Sequence, residues 1–200
     1  MTATSPRVQL VLDEMERHRH QFEPFVRSLS QEELATPVPD TPWTVKDYVA
    51  HLCTIDGLIA TGFQAFAGQS SAPPMDIPVE TPFDIDDWNQ AAVEARADAS
   101  IDELLDEGAR HRADMEQVFA AVGDEQLEIQ VPYGTRRASG LPDTPVALRE
   151  ILWAISLHDP THTQDILRAL PGRANEPWVK EWLASVPVDT VHPDIAARRA

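Results

Sequence analysis

An all-α fold, a four-helix bundle with a long crossover between helices 2 and 3, is predicted by three observations. Apolar residues recur at helical spacing over most of the chain. A proline-dense connector separates the second helix from the third. Three histidines, His51, His158 and His162, fall on the inward faces of two helices. Two hundred residues with 42% hydrophobic content are enough for one real core.

The first helix is expected from Pro6 to Leu29, where Val8, Val11, Leu12, Met15, Phe22, Phe25, Val26 and Leu29 keep the period. Pro24 should kink it or end it locally. His18 and His20 are two apart and share no helix face, so both read as solvated. Ser30 and Glu33 have the spacing of a capping box and mark a turn. Thr44, with Asp47 three residues later, opens the second helix, which closes near Gly68. Its stripe is Tyr48, Leu52, Ile55, Leu58, Ile59 and Phe66, with His51 inside it.

Residues Gln69 to Phe83 contain Pro73, Pro74, Pro78 and Pro82 and read as a stiff extended connection. Fifteen such residues reach roughly 50 Å, more than the roughly 36 Å of a 24-residue helix, so helices 2 and 3 can be parallel. The third helix is expected from Asp86 to Val122, with a bend near Ser100, where Glu103 repeats the capping-box spacing. An extended piece over Leu127 to Tyr133 and a loop over 134–145 follow. The fourth helix is placed from Thr144, with Pro145 in its first turn, to Ala169. The bundle is assigned to 1–172, and a short helix (Glu176 to Ala184) with a weakly ordered tail to 173–200.

Charge narrows the function. The net charge is −17 and the pI near 4.6, and no basic stripe offsets it, so neither nucleic acid nor an anionic membrane is an expected partner. No apolar run approaches a membrane span and the first residues lack a signal-peptide core, so a cytoplasmic protein is expected, with a homodimer left open. The single cysteine, Cys53, excludes an internal disulfide and reads as core filler.

The histidines carry the chemistry. His158 and His162 are four apart and point the same way from a helix. A third imidazole, His51 from a neighbouring helix, would complete a three-ligand centre with room for water or substrate. Burying three imidazoles without partners is costly, and a shared divalent ion removes that cost. Pro160 lies between the pair and requires a kink or a helix restart there. Asn89 reads as a local hydrogen-bonding residue or a substrate contact. Arg136 and Arg137 read as solvated or as an anion contact, His111 as a group behind the ligands, and Asp56 and Asp165 as groups able to orient His51 and His162.

The stretch Trp43-Thr-Val-Lys-Asp-Tyr-Val-Ala-His51-Leu resembles the first histidine motif of the DinB-like superfamily of metal-binding four-helix bundles. Asp86-Asp-Trp88-Asn89, with the Ala-Ala-Val-Glu-Ala-Arg-Ala-Asp-Ala-Ser100 that follows, is similar to its mycothiol-dependent maleylpyruvate isomerase branch. The resemblance spans roughly residues 5 to 170. It implies His51, His158 and His162 as ligands of a divalent ion, zinc or nickel, and chemistry on a low-molecular-weight thiol such as mycothiol with a small electrophile. Isomerases of the branch usually carry a further C-terminal domain, which a sequence of this length is not expected to hold, and Pro160 is an unusual insertion into the ligand helix. Both departures argue against maleylpyruvate isomerisation itself. The expectation is a metal-dependent thiol transferase. A metal-dependent hydrolase and a non-catalytic metal- or ligand-binding bundle are the alternatives.

Overall fold

Ser5 accepts a hydrogen bond from the Arg7 amide and Pro6 occupies the first helical position, so α1 forms over Pro6–Arg27. It runs on three residues past Pro24, whose missing amide falls on the exposed His20 side of the helix, where water can satisfy the carbonyl. The computed structural model describes residues 4–66, 84–133 and 144–186. Ser30 and Glu33 make the expected reciprocal capping box, which starts the one-turn α2 (Gln31–Leu34). Thr44 and Asp47 exchange the same pair of bonds ahead of α3 (Val45–Phe66).

The expected third helix is two helices. α4 (Ile85–Glu94) packs Ile85 and Trp88 near Ile55, Leu58 and Ile59, while Ala97 beyond its end meets Lys46, so it runs against α3. After Ser100 the chain turns back as α5 (Ile101–Ala120), which runs with α3: Gly108 sits on Cys53 and His111 on Gly57. The Ser100–Glu103 box that suggested a bend is the start of a new helix, because its cap residue is extended (φ −73°, ψ 163°). Arg96 then clamps the reversal by pairing with Glu107. The connector at 69–83 and the arginines at 136 and 137 lie outside the described residues.

Leu127 ends a single helical turn, α6 (Asp124–Leu127), rather than opening the extended piece. β1 (Gln130–Tyr133) pairs antiparallel with β2 (Thr144–Ala147), in the register Gln130↔Ala147 and Pro132↔Pro145. Thr144 and Pro145 are therefore strand, not the first turn of a helix. A Pro–Pro pair suits a position of the ladder where neither residue must donate. α7 (Leu148–Ser156) follows, then α8 (His158–Ala169), a 3-10 turn at Arg173–Asn175, and α9 (Pro177–Ala184).

α1 and α7–α8 rise while α3 and α5 descend. The return between the parallel pair α3 and α5 is made by α4, the stroke expected of the proline-rich connector. Two apolar clusters fill the bundle. One gathers Phe22, Phe25, Leu52, Leu104, Ile166 and Trp182, and the other Val8, Met15, Met115, Phe119, Leu152 and Leu157. No helix among the described residues is long and apolar enough to cross a membrane.

Candidate metal centre

The break between α7 and α8 places two of the histidines. Leu157 leaves helical geometry (φ −96°, ψ 8°) and α8 restarts at His158, so Pro160 falls in a first turn, where no intrahelical amide is needed. The cost of an interior proline is thereby avoided, and His158 and His162 stay on one continuous helix. Their ring centres are 4.6 Å apart. His51, from the second turn of α3, lies 5.2 Å from the His158 ring and 5.1 Å from the His162 ring. One nitrogen from each of the three comes within 4.8 Å of the others. No further histidine, cysteine or carboxylate joins this cluster among the described residues.

The surroundings keep two of these rings, His51 and His158, neutral. Burial depresses the pKa of His51 to about 3, reinforced by His162 and partly offset by the Asn89 side chain. Burial also holds His158 well below the usual histidine range, with His162, His51, Arg112 and Arg19 adding to the effect. Neutral imidazoles offer lone pairs, the form a metal requires. Nδ1 of His51 is buried without a well-formed hydrogen bond, an expense that a bound ligand or a closer approach of Asn89 would relieve. His162 is oriented from behind: its Nδ1–H donates to Asp165 Oδ2 at 2.9 Å, leaving Nε2 bare. The donor set therefore fits a divalent ion of borderline softness such as zinc or nickel.

Trp43 and Tyr48 wall the cluster, with ring centres 5.2 Å from His51 and 5.5 Å from His162. Trp43 is held ahead of α3 by a tight turn in which Asp40 takes a positive φ of 64° and the Val38 amide bonds the Trp43 carbonyl. Asn89, from α4, brings Oδ1 to the same place, buried and without a well-formed hydrogen bond. It caps nothing: Asp84 is the N-cap of α4.

Residues 15–153 match the profile of the mycothiol maleylpyruvate isomerase N-terminal domain. The chain belongs to that family. The crystal structure of the mycothiol-dependent maleylpyruvate isomerase shares its fold, with a TM-score of 0.55 over 90% of this chain and 75% of that one at 14% identity. No curated protein matches the chain.

In this member of the mycothiol maleylpyruvate isomerase N-terminal domain family, the matched stretch contains His51 and Asn89 and ends before His158. Asp56 does not orient His51. It is buried against Arg112, whose Nε donates to it at 2.7 Å. His111 is not behind the ligands either: its Nδ1 bonds the Cys53 carbonyl at 2.9 Å on the α3–α5 seam. His18 is not solvated. It is fully buried and accepts a 3.0 Å bond from Trp182 Nε1, because α9 docks over α1, which the local spacing of His18 and His20 could not reveal. His20 is exposed as expected.

Sequence reasoning also missed Arg19, Arg112 and Asp159, which are 7%, 6% and 2% exposed. A signal existed. Arg19 sits four after Met15 and three before Phe22, and Arg112 sits four after Gly108 and three before Met115, both on apolar stripes.

Proposed function

We propose that this chain is a metal-dependent enzyme of small-molecule metabolism or detoxification, which joins a low-molecular-weight thiol of the mycothiol type to a small electrophile. The observation that carries this reading is the convergence of three imidazoles, with one nitrogen of each within 4.8 Å of the others, beside an aromatic wall and the buried Asn89 amide. Zinc or nickel would be held by His51, His158 and His162, with no fourth protein ligand in the cluster among the described residues. Such an open position is typical of catalytic rather than structural zinc, which supports an enzyme over a binding bundle. Bound there, the ion would lower the pKa of a coordinated thiol and favour its thiolate.

The remaining work falls to the chain itself. His162, steadied by Asp165, keeps its Nε2 directed at the cluster. Trp43 and Tyr48 limit water and offer apolar faces to the electrophile. Asn89 supplies a polar contact for whichever group lies beside His51. The protein's own thiol is unsuited to the reaction: Cys53 is buried and its pKa is pushed up to about 12, first by burial, so it stays protonated. A thiol reaction therefore needs a thiol from outside, in keeping with the family.

The test is metal analysis of purified protein, with thiol-conjugation turnover of wild type against His162→Ala. The expected result is loss of metal and of turnover together. Equal metal content and equal turnover in the two proteins would overturn the reading. Turnover of esters or amides in wild type without added thiol would replace it with hydrolysis.

A further inference from the structure

Between the two apolar clusters lies a layer of four buried charges, two guanidiniums and two carboxylates. Arg19 Nε and Nη2 each donate to one oxygen of Asp159 at 2.9 Å, a fork-to-fork pair. Arg112 Nη2 donates to the same carboxylate at 3.3 and 3.2 Å, and its Nε donates to Asp56 Oδ2 at 2.7 Å. Arg19 Nη2 also reaches Asp56 at 3.4 Å and the Leu52 carbonyl at 3.3 Å, and Arg112 Nη1 reaches the Met15 carbonyl at 3.5 Å. The charges balance within the layer.

Their origins make a pattern. Asp56 comes from α3, the helix of His51. Asp159 comes from the first turn of α8, directly after His158 and three residues before His162. Both arginines come from helices that carry none of the three histidines, α1 and α5. The guanidiniums thus join the carboxylate of one histidine-bearing helix to the carboxylate of the other. Apolar packing alone would leave α8 free to slide or rotate by small amounts on a greasy surface, whereas a fork-to-fork pair fixes both distance and plane. As a source of stability alone, buried ion pairs are a weak choice, because desolvation offsets most of their attraction.

We propose that Arg19, Arg112, Asp56 and Asp159 are positioning residues for the candidate metal centre, a charged staple that sets the spacing between His51 on α3 and the His158–His162 pair on α8. The inference rests on the metal reading above. The staple touches neither ion nor substrate, and acts by holding the two ligand helices in one register. Removing it loosens the imidazole triangle even where the bundle still folds.

The experiment is cobalt(II) binding, measured by chelator competition on the full chain, alongside urea unfolding of the metal-free protein. Arg19→Lys keeps the charge and loses the fork. The pair Asp56→Leu with Arg112→Met removes one carboxylate and one guanidinium together and fills the space with apolar atoms, a change that typically leaves stability unchanged or raised. Both variants are expected to fold and to bind cobalt roughly 10–100-fold more weakly than wild type, the usual effect of losing a group that orients ligands. Folded variants with wild-type cobalt affinity would overturn the staple and leave the metal reading intact. Failure of the paired variant to fold would also overturn it, by making the layer a requirement of the bundle. Wild type that takes up no cobalt would remove the metal reading, and the staple with it, and that outcome appears without any variant.

Discussion

Asp165 Oδ2 accepts a 2.9 Å hydrogen bond from His162 Nδ1, one helical turn along α8, and so selects the ring tautomer whose Nε2 is free. A neutral imidazole otherwise exchanges between two tautomers and several ring angles, and only one combination serves an ion shared with His51 and His158. Asp165→Ala should weaken cobalt(II) binding by roughly 10–100-fold, as expected for loss of a carboxylate behind a ligating histidine. Because the pair is partly exposed, unfolding stability should move by less than about 1 kcal/mol. Chelator competition and urea titration on the same samples check both parts, and an unchanged cobalt affinity would remove Asp165 from the site.

Asn89 separates binding of an ion from binding of a ligand. Its side chain lies close enough to His51 to raise that ring's pKa, and beyond this weak mutual contact Asn89 Oδ1 and His51 Nδ1 are both buried without a well-formed hydrogen bond. An unsatisfied acceptor of this kind favours a bound molecule that brings a donor. Asn89→Leu should leave cobalt affinity close to wild type and raise the KM for thiol or electrophile roughly 2–10-fold, the worth of one hydrogen bond. Steady-state kinetics with each substrate varied in turn would show which one Asn89 contacts. Unaltered KM values for both would return it to a packing role.

The bundle and its histidines were legible because both are written in local periodicity. His51 falls inside a continuous apolar stripe, and His158 and His162 are one turn apart, so their faces follow from spacing alone. The capping signals were equally local: Thr44–Asp47, Ser30–Glu33 and Ser100–Glu103 all form the bonds their spacing implies. What escaped was long-range. A bend and a full reversal at Ser100 have the same capping signature. The difference lies in Arg96 finding Glu107 and in α4 lying against α3. Pro145 is acceptable both in a first helical turn and in a two-stranded ribbon, and only its pairing opposite Pro132 decides for the strand. Arg19, Arg112, Asp56 and Asp159 come from four separate helices, so no window of sequence contains them. His18 was misread for the same reason, since its partner Trp182 is far away in the chain.

That partner makes His18 a sensor of acid. Trp182 Nε1–H donates to Nδ1, while Nε2 lies between the Arg17 guanidinium at 3.1 Å and the Glu14 carboxylate at 3.3 Å. The His18 pKa is lowered to about 4, first by burial and then by Arg17, with Glu14 and Asp159 acting the other way. The folded value is below that of the unfolded chain, near 6.5, so the unfolded state takes up the proton first as pH falls. The contribution is complete above about pH 6.5 and is lost progressively down to about pH 4. Protonation would also turn the acceptor of the Trp182 bond into a donor and loosen α9. Stability measured by urea unfolding should therefore fall across this window. His18→Gln, whose amide oxygen can still accept from Trp182, should flatten part of that slope. His51 and His158 titrate with the same sign, so the difference between the two curves is the quantity to read; identical slopes would exclude His18.

The seam between α3 and α5 depends on glycine at one position and not at another. A Cβ on Gly108 would lie 3.0 Å from Cys53 Sγ and 3.2 Å from Cys53 Cα, so the opposing backbone itself would have to move. A Cβ on Gly62, on the same α3 but facing outward, would meet nothing within 4 Å. Alanine is favoured over glycine within a helix by about 1 kcal/mol at either place. At Gly62 that gain stands alone, and Gly62→Ala should raise unfolding stability by about 0.5–1 kcal/mol. At Gly108 overpacking, typically about 1–3 kcal/mol, opposes it and wins, because a helix backbone yields less readily than a side-chain tip. Gly108→Ala should therefore lower stability by about 1 kcal/mol. Urea midpoints for the two variants, at unchanged slope, should move in opposite directions. A shift of the same sign and size in both would mean that α3 and α5 stand further apart than this packing requires.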